Sequence, residues 1–272
     1  MSLRIIHAAT GVPAVSAADR GFAYGDGLFE TLRLHAGAPV RWDAHWARLR
    51  RGAEALAIPL AAEDEGKARM AAQAACGGVQ RAVLKLVLTR GEGGRGYAPP
   101  PDARPTLVIG IHDLPARAPA DLAVRWCRTR LAIQPRLAGI KHLNRLEQVL
   151  ARAEWTTSSI DEGLMLDSAD EVVGATSANV FALVFGLWIT PPVDMRGVAG
   201  IMRGWVLANA SAREAPLTRT MLEAADAVFL CNAVRGILPV GSLGDRRWSM
   251  HPALDAIRRR LHKAEPAFDP GR

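Results

Sequence analysis

Lysine is scarce in this sequence, although basic residues are not. Only four of the 34 basic residues are lysines, and the rest are arginines; the lysines are Lys67, Lys85, Lys141 and Lys263. Arginine cannot act as a nucleophilic amine because its guanidinium stays protonated, whereas a lysine amine can form a Schiff base with a carbonyl. Two interpretations of Lys141 therefore stay open, a reactive amine and a solvated residue at the start of a helix.

Long apolar runs and paired cysteines are also missing. No run reaches the roughly 18 apolar residues of a membrane-spanning helix, and residues 1–7 lack the apolar core of a signal peptide. The three cysteines, Cys76, Cys127 and Cys231, are far apart and form no CxxC spacing. This pattern argues against a disulfide framework or a zinc site and favours a reducing, cytoplasmic compartment.

The motifs of several other enzyme classes are absent. The seven histidines show neither HExxH nor HxH spacing, so we predict no metal site. Neither a GxSxG elbow nor a GxxxxGK[ST] loop occurs. Residues 91–96 spell GxGxxG after a predicted strand, but prolines follow where a helix would be required, which argues against a dinucleotide site.

A net charge of +7 and a pI near 10 are compatible with nucleic-acid binding. The arginines, however, are scattered, and their densest run, residues 258–260, comes with no zinc-finger or RNA-recognition signature. An arginine-rich solvated surface is the favoured interpretation, and a basic binding protein is the alternative. Some of the arginines would suit an anionic substrate or cofactor.

Strand and helix patterns alternate along the 272 residues, of which 49% are apolar and 22% charged. Residues 29–34 alternate as in a strand, and residues 42–56 carry the apolar stripe of a helix. Residues 114–120 contain two prolines and form the best linker candidate. The mixture of elements indicates two α/β or α+β domains.

Two helix starts resemble binding elements. We predict that Lys141 opens a helix whose inner face holds apolar residues, namely Leu143, Leu146, Val149 and Leu150. Gly200 precedes a second helix beginning at Ile201 and Met202, and free backbone N–H groups at such a start bind phosphate. An ordinary helix start is the alternative there. The strand-end loop at Asn232 and Ala233 offers further donors.

Five segments in order resemble one enzyme family. They are residues 45–49 (HWARL), 141–148 (KHLNRLEQ), 177–181 (SANVF), 200–203 (GIMR) and 232–240, which ends in Pro239 and Val240. Together they resemble the class IV, or fold type IV, pyridoxal-phosphate enzymes. That family includes branched-chain aminotransferases, D-amino-acid aminotransferases and 4-amino-4-deoxychorismate lyases. The segments 141–148 and 90–97 (RGEGGRGY) point to the lyase branch.

The resemblance implies a cofactor and the residues that hold it. Lys141 would bind pyridoxal 5'-phosphate as a Schiff base and would then act as the general acid and base. The cofactor phosphate would be bound by one side chain and by two backbone segments, namely Arg48, Ile201 with Met202, and Asn232 with Ala233.

The resemblance also implies substrate contacts. Thr31 matches a threonine that the lyases carry where branched-chain transaminases have glycine, so it is a candidate catalytic residue near the departing pyruvyl group. Arg95, and with it Arg90 or Tyr24, would face a substrate carboxylate. For Arg95 the alternative is a loop arginine that points to solvent.

Two positions depart from the family pattern. Gly174 stands where the family has a glutamate that keeps a proton on the pyridine nitrogen. Leu146 stands where the transaminases have a tyrosine that contacts the phenolic oxygen of the cofactor. Losing the carboxylate weakens the ring as an electron sink. A lyase needs that sink less, because aromatisation drives its reaction, so Gly174 favours the lyase over the transaminase.

The resemblance finally implies the architecture and the reaction. A smaller N-terminal α/β domain would cover residues 1–115, a linker 116–121 and a larger cofactor-binding domain 122–272, with the cofactor between the domains, as in D-amino-acid aminotransferase-like proteins. The expected protein is a cytoplasmic homodimer that converts 4-amino-4-deoxychorismate to 4-aminobenzoate and pyruvate for folate biosynthesis. Nucleic acid and membranes are not expected partners. The alternatives are a class IV aminotransferase acting on D-amino or branched-chain amino acids and a non-catalytic family member.

Overall fold

A computed structural model describes residues 3–7 and 15–269 of the chain. The chain divides into two compact units, and each unit is made of two separate segments of the sequence. Unit 1 comprises Met1–Pro115 together with Ile140–Asn144, and unit 2 comprises Ala116–Gly139 together with Arg145–Arg272. The short segment around Lys141 thus belongs to unit 1, whereas the sequence-based division assigned it to the second domain.

Unit 1 is built on one sheet. Its strands are β1 (Arg4–His7), β2 (Gly27–His35), β3 (Ala38–Pro39), β4 (Arg81–Thr89) and β5 (Thr106–His112), in the spatial order β1-β5-β4-β2-β3. Its helices are α1 (Arg20–Tyr24), α2 (Trp42–Ala55) and α3 (Asp64–Cys76). Burial alternates along β2 from Leu28 onward, so that Leu28, Leu32 and Leu34 face the core while the odd-numbered residues from Phe29 to His35 are half-buried.

Unit 2 contains a larger sheet. Its strands are β6 (Leu122–Trp126), β7 (Glu162–Leu166), β8 (Val172–Ala175), β9 (Asn179–Val184), β10 (Leu187–Thr190), β11 (Ala212–Glu214), β12 (Ala227–Asn232), β13 (Gly236–Leu243) and β14 (Arg246–Arg247). The spatial order is β11-β10-β9-β12-β13-β6-β7-β8, and β14 pairs with β13. The helices are α4 (Leu146–Arg152), α5 (Ile201–Asn209), α6 (Arg219–Ala224) and α7 (Pro252–Ala264). Both units combine helices with a sheet, which confirms the predicted mixed α/β class.

The prediction that a helix begins at Lys141 was wrong in two respects, namely where the helix starts and which of its residues are buried. Helix α4 begins only at Leu146, because the residues before it are bonded as an extended segment to β2. On α4 the side chains of Leu146, Val149 and Leu150 are 75%, 59% and 60% exposed, and Ala151 is the buried position. The apolar residues therefore form an exposed face of this helix in the isolated chain.

None of the helices within residues 3–7 and 15–269 is long and apolar enough to span a bilayer.

An aromatic cluster lies in the sheet core of unit 2, and we expect it to dominate local stability. The Phe229 ring stacks on Phe181 at 4.9 Å between centroids and meets Trp188 edge-to-face at 4.7 Å. We expect Phe229→Ala to lower the unfolding free energy by about 3–5 kcal/mol, because it leaves a cavity in a close-packed core. Guanidinium denaturation followed by tryptophan fluorescence measures this change. Phe185→Ala is the control, since Phe185 is fully exposed on the β9–β10 turn; equal midpoints for the two variants would contradict the prediction.

Candidate active site

Lys141 lies on a short extended segment that is bonded to the start of β2. The Phe29 N–H donates to the Lys141 carbonyl at 2.9 Å, and the Leu143 N–H donates to the Gly27 carbonyl at 2.9 Å. His142 forms an antiparallel bridge with Leu28 between these two bonds. The lysine backbone is therefore held by sheet-like pairing within unit 1, a more rigid support than a loop.

The Lys141 side chain reaches over the ring of Phe29. Its Nζ lies 4.1 Å from the ring centroid, and the Nζ of Lys85 lies 5.8 Å from the same centroid. Thr31 is two residues beyond Phe29 on β2, so both side chains point to the same side of the sheet. Thr31 is half-buried and pairs across the strands with Lys85. The structure thus brings Lys141 and Thr31, two of the predicted site residues, to one face of unit 1.

Arg48 is held on the opposite side of β2 by a buried carboxylate. Its Nε and Nη2 donate to the two oxygens of Glu30 at 2.8 and 2.6 Å. The Nδ1 of His45, one turn earlier on α2, lies 2.6 Å from Glu30 Oε2. All three side chains are buried. Glu30 therefore fixes the orientation of Arg48, whose predicted contact with a cofactor phosphate stays a prediction.

The charges in this cluster shift the pKa values of its members. Burial by itself would raise the pKa of the Glu30 carboxyl, but the charge of Arg48 and the hydrogen bonds from Arg48 and His45 outweigh it and lower the pKa to about 2. Burial lowers the pKa of His45, and Glu30 opposes that shift only in part. A neutral His45 ring whose Nδ1–H donates to the ionised Glu30 accounts for the lowered pKa of each group.

Glu30 and His45 were not predicted from the sequence as partners of Arg48. The available signal was weak but present, because His45 and Arg48 are three residues apart on one helix. On the core-facing side of β2, Glu30 is the charged residue, and the other even-numbered positions hold leucines. A buried carboxylate needs a charged or hydrogen-bonding partner, but the pattern could not say which arginine supplies it.

Arg90 has a structural role in unit 1. Its guanidinium donates to both oxygens of Asp26 and to the carbonyls of Leu56 and Ala57, at distances between 2.7 and 3.1 Å. Burial would raise the pKa of Asp26, but hydrogen bonds from Arg90 and Arg20 outweigh it and lower the pKa. With its donors used in this way, Arg90 is a poor candidate for a substrate carboxylate, and Arg95 and Tyr24 remain the predicted contacts.

The loop that carries Arg95 is held by Arg20. The Arg20 guanidinium donates to the carbonyls of Gly96 and Tyr97 at 3.0 Å each. The Tyr24 hydroxyl accepts a hydrogen bond from the Gly96 N–H at 3.1 Å. Arg95 itself is exposed on this loop and directly precedes Gly96, the residue that Tyr24 contacts.

In unit 2 the start of α5 offers unblocked backbone donors. Gly200 is the N-cap residue and has no capping side chain, so the N–H groups at Ile201 and Met202 are not occupied by a side-chain cap. A Cβ at Gly200 would lie 2.0 Å from the Asn179 Oδ1, while Asn179 Nδ2 donates to the Val198 carbonyl at 2.9 Å. A phosphate group fits these donors, because they carry the positive end of the helix dipole.

The second predicted phosphate loop of unit 2 is organised by Asn232. Its Oδ1 accepts hydrogen bonds from the N–H groups of Val234 and Arg235 at 3.1 and 2.8 Å. Its Nδ2 donates to the Ser177 carbonyl at 3.4 Å. Ala233 follows directly, in the turn between β12 and β13. Asn232 therefore shapes the loop, and the predicted phosphate contacts of Asn232 and Ala233 stay predictions.

Gly174 lies on β8 opposite Met165 and has little room for a side chain. A Cβ at this position would lie 2.9 Å from the Ala178 carbonyl oxygen, which accepts the Ala175 N–H at 2.8 Å. A glutamate here would have to displace that turn. The buried Glu162 of β7 accepts hydrogen bonds from the hydroxyls of Thr176 and Ser177 in the same turn.

Within the part of the chain that the structure describes, no group of three or more histidine, cysteine, aspartate or glutamate side chains could hold a metal ion.

Comparison with known proteins supports the resemblance found in the sequence. A family model described as amino-transferase class IV matches residues 27–243. The aminodeoxychorismate lyase of Vibrio harveyi is 35% identical over 252 residues, covering 89% of this chain and 92% of its own. A putative branched-chain-amino-acid aminotransferase of Methanocaldococcus jannaschii is 30% identical over 240 residues, covering 85% and 83%. The crystal structure of 4-amino-4-deoxychorismate lyase from Pseudomonas aeruginosa shares 42% identity and a TM-score of 0.87, covering 94% of this chain and 98% of that one.

The Glu30 cluster generates a prediction about stability and pH. We expect Glu30→Gln to lower the unfolding free energy at pH 7 by about 3–5 kcal/mol, because Arg48 loses its charged partner in a buried position. The Glu30 pKa is lowered on folding, so its contribution is complete above the unfolded pKa of about 4.3 and is lost as pH falls toward 2. The deficit of the variant should therefore shrink between pH 5 and pH 3, roughly the window in which the unfolded carboxyl takes up its proton.

This deficit is measured by urea denaturation at pH 7, 5 and 3, which span about four pH units around the pKa of the unfolded carboxyl. Glu54→Gln is the control, since Glu54 lies exposed on α2, the helix that carries Arg48, and its carboxylate is 4.0 Å from the Arg50 guanidinium. The assignment fails if Glu30→Gln is no less stable than Glu54→Gln at neutral pH, or if its deficit does not change with pH.

Proposed function

The chain belongs to the amino-transferase class IV family, whose enzymes use pyridoxal 5'-phosphate, and on that premise we propose that it is a 4-amino-4-deoxychorismate lyase. The observation that carries the proposal is the position of Thr31 on the face of unit 1 that also bears the Lys141 amine. The 42% identity to the Pseudomonas aeruginosa lyase over 94% of the chain supports it. The reaction yields 4-aminobenzoate and pyruvate, by loss of a ring proton and cleavage of the carbon–oxygen bond to the pyruvyl group.

The proposed mechanism uses the two side chains on this face. The chemistry that pyridoxal phosphate supplies when bound is an electron sink, which acidifies the C–H bond next to the substrate nitrogen. The Lys141 amine takes up that ring proton as general base. The Thr31 hydroxyl donates a hydrogen bond to the ether oxygen of the departing pyruvyl group, which stabilises the negative charge that develops there. Aromatisation of the ring drives the step.

Other residues are proposed to bind and orient. The N–H groups of Ile201 and Met202 and the loop at Asn232 and Ala233 bind the cofactor phosphate, since the start of α5 has no capping side chain. Arg48 contributes a further charge-assisted hydrogen bond, with Glu30 fixing its orientation. Arg95 faces a substrate carboxylate, and Tyr24 supports the loop that carries it.

An aminotransferase is the second candidate, because the Methanocaldococcus jannaschii protein is 30% identical over 85% of this chain. Gly174 weighs against it, since a transaminase depends more on the electron sink that the missing carboxylate would sustain. Leu146 weighs against it as well, because it supplies no hydroxyl at the position where the transaminases carry a tyrosine.

We also propose that the protein is a homodimer and that it resides in the cytoplasm. The exposed apolar side chains of Leu146, Val149 and Leu150 on α4 are the surface that a second copy would cover, since such contiguous exposure is characteristic of interfaces. The three buried cysteines are free thiols, which agrees with a reducing compartment.

Activity tests the proposed reaction directly. We expect the purified protein to release fluorescent 4-aminobenzoate from 4-amino-4-deoxychorismate generated in situ. Lys141→Ala should lower the rate by about 100-fold or more, because it removes the general base. Borohydride should trap the cofactor on wild type and not on Lys141→Ala. The variant Lys67→Ala, which changes a half-buried lysine on α3, should behave as wild type.

The outcome against the proposal is a protein that carries the cofactor and yields no 4-aminobenzoate. Transfer of amino groups from D-amino or branched-chain amino acids by that protein would establish the second candidate in its place.

The dimer is tested separately. We expect Val149→Glu combined with Leu150→Glu to shift the protein from dimer to monomer in light scattering coupled to size-exclusion chromatography, because two charges cannot be buried unpaired in an apolar interface. Met70→Glu is the matched control, since Met70 is an exposed apolar residue on α3. A wild-type protein that is monomeric at all concentrations, or a double variant that remains dimeric, would remove α4 as the interface.

A further inference from the structure

Unit 2 contains a pocket of about 360 Å³ beside helix α7, which we call the α7 pocket. Its wall is largely apolar and includes four buried side chains, from β12, β13, α7 and the segment before α7: Val228, Val240, Trp248 and Leu254. Concave apolar cavities of this size are typical of small-molecule sites. None of the residues assigned to the cofactor or the substrate lines the pocket, so it is an additional candidate site.

Arg258 is the charged side chain of the α7 pocket whose bonding capacity is unused. It is half-buried on α7, and its Nε is shielded from solvent and has no hydrogen-bond acceptor among the residues that the structure describes. The next two residues each have an acceptor, since Arg259 donates to Asp255 and Arg260 donates to the Asn209 carbonyl. A buried donor without an acceptor is costly and calls for an explanation. An anionic group on a ligand would supply the missing acceptor.

Arg117 and Asp121 complete the polar part of the α7 pocket. Both are exposed on the segment before β6. The Asp121 carboxylate lies against Gly241 of β13, where a Cβ would be 2.6 Å from its Oδ2. Across the described ranges this carboxylate accepts no hydrogen bond and pairs with neither Arg117 nor Arg258. The pocket therefore offers cationic donors to an acid and, separately, an acceptor to an N–H or O–H group.

The apolar wall favours a flat ring between these polar ends. The indole N–H of Trp248 donates to the Ala225 carbonyl at 2.8 Å, so Trp248 contributes apolar surface to the pocket. Met250 also lines the pocket and is 47% exposed, and its thioether makes favourable contacts with aromatic rings. Pro239 adds a rigid apolar surface from β13. An aromatic body suits this wall better than a polar one.

We propose that the α7 pocket binds an aromatic carboxylate that also carries an amine, with its carboxylate on Arg258 and its amine donating to Asp121. 4-Aminobenzoate is such a molecule, because its carboxylate and its amine are at opposite ends of one ring. The ligand class follows from the pocket, whereas the choice of 4-aminobenzoate rests on the proposed lyase function, of which it is the product.

This assignment makes the pocket selective for the product over the substrate. The substrate 4-amino-4-deoxychorismate carries a second carboxylate and a ring that is not flat. The charge of Asp121 opposes a second anionic group in the same pocket. The chain would thus hold its product at a place that the substrate does not occupy.

Three ligands separate the groups of 4-aminobenzoate. Benzoate lacks the amine, and aniline lacks the carboxylate. Binding of each is measured by titration calorimetry on the borohydride-reduced holoenzyme, in which the ligand amine can no longer form a Schiff base with the cofactor. The variants are Arg258→Met, Arg258→Lys, Asp121→Ala and Ala120→Phe, of which the last fills the pocket from an exposed position in its wall. Arg259→Met is the control, since Arg259 is exposed on the same helix.

The wild type should bind 4-aminobenzoate more tightly than benzoate or aniline. In Arg258→Met its dissociation constant should rise roughly 10- to 100-fold, the loss expected for a hydrogen bond to a charged group. Arg258→Lys should recover part of this affinity, and Ala120→Phe should lose as much as Arg258→Met. Asp121→Ala should bind 4-aminobenzoate no better than benzoate. Lyase turnover in Arg258→Met and Arg259→Met should equal that of the wild type.

The results distinguish the pocket from the proposed reaction. Unchanged 4-aminobenzoate binding in Arg258→Met and Ala120→Phe, with normal lyase turnover, overturns the pocket as a binding site and leaves the lyase intact. Aniline that binds as tightly as 4-aminobenzoate overturns the role of Arg258. A wild type without lyase turnover whose binding of 4-aminobenzoate still depends on Arg258 overturns the lyase and retains the pocket.

Discussion

The buried Glu30 carboxylate is the interaction on which the functional side of unit 1 depends. It joins β2 to α2 through Arg48 and His45, so that strand and helix are connected by charge-assisted hydrogen bonds as well as by apolar packing. Successive strand residues point to opposite faces. Fixing Glu30 toward the core therefore fixes Phe29 and Thr31 toward the face that carries Lys141, and a slip of one residue along β2 would exchange the two sets.

Arginine performs much of the internal bonding in both units, which the composition alone did not reveal. A solvated surface was the favoured interpretation of the arginines, yet several of them are buried and paired with an aspartate or glutamate: Arg20, Arg48, Arg90, Arg196 and Arg203. The planar guanidinium suits this task because it donates in several directions at once. Since lysine is used so rarely, two lysines at one phenyl ring stand out as functional candidates.

In unit 2 the candidate cofactor contacts depend on close backbone packing. Gly200 leaves room for Asn179 at the start of α5, and a side chain there would collide with the asparagine oxygen. Gly174 is packed against the Ala178 carbonyl in a similar way. The position at which the family carries a carboxylate is thus a position with no space for one here. The turn after β8, which packs against this glycine, is held by Glu162 through two hydroxyl groups.

The sequence by itself determined the family, its cofactor, the mixed fold class and the main elements of both units, because short motifs and the periods of strands and helices are local properties. It did not determine that Lys141 pairs with β2, that α4 starts at Leu146 with its apolar residues exposed, or that Glu30 binds Arg48. Nor did it indicate that Lys85 lies across from Thr31. These features depend on contacts between residues far apart in the chain, and only tertiary structure decides which of many similar residues meet.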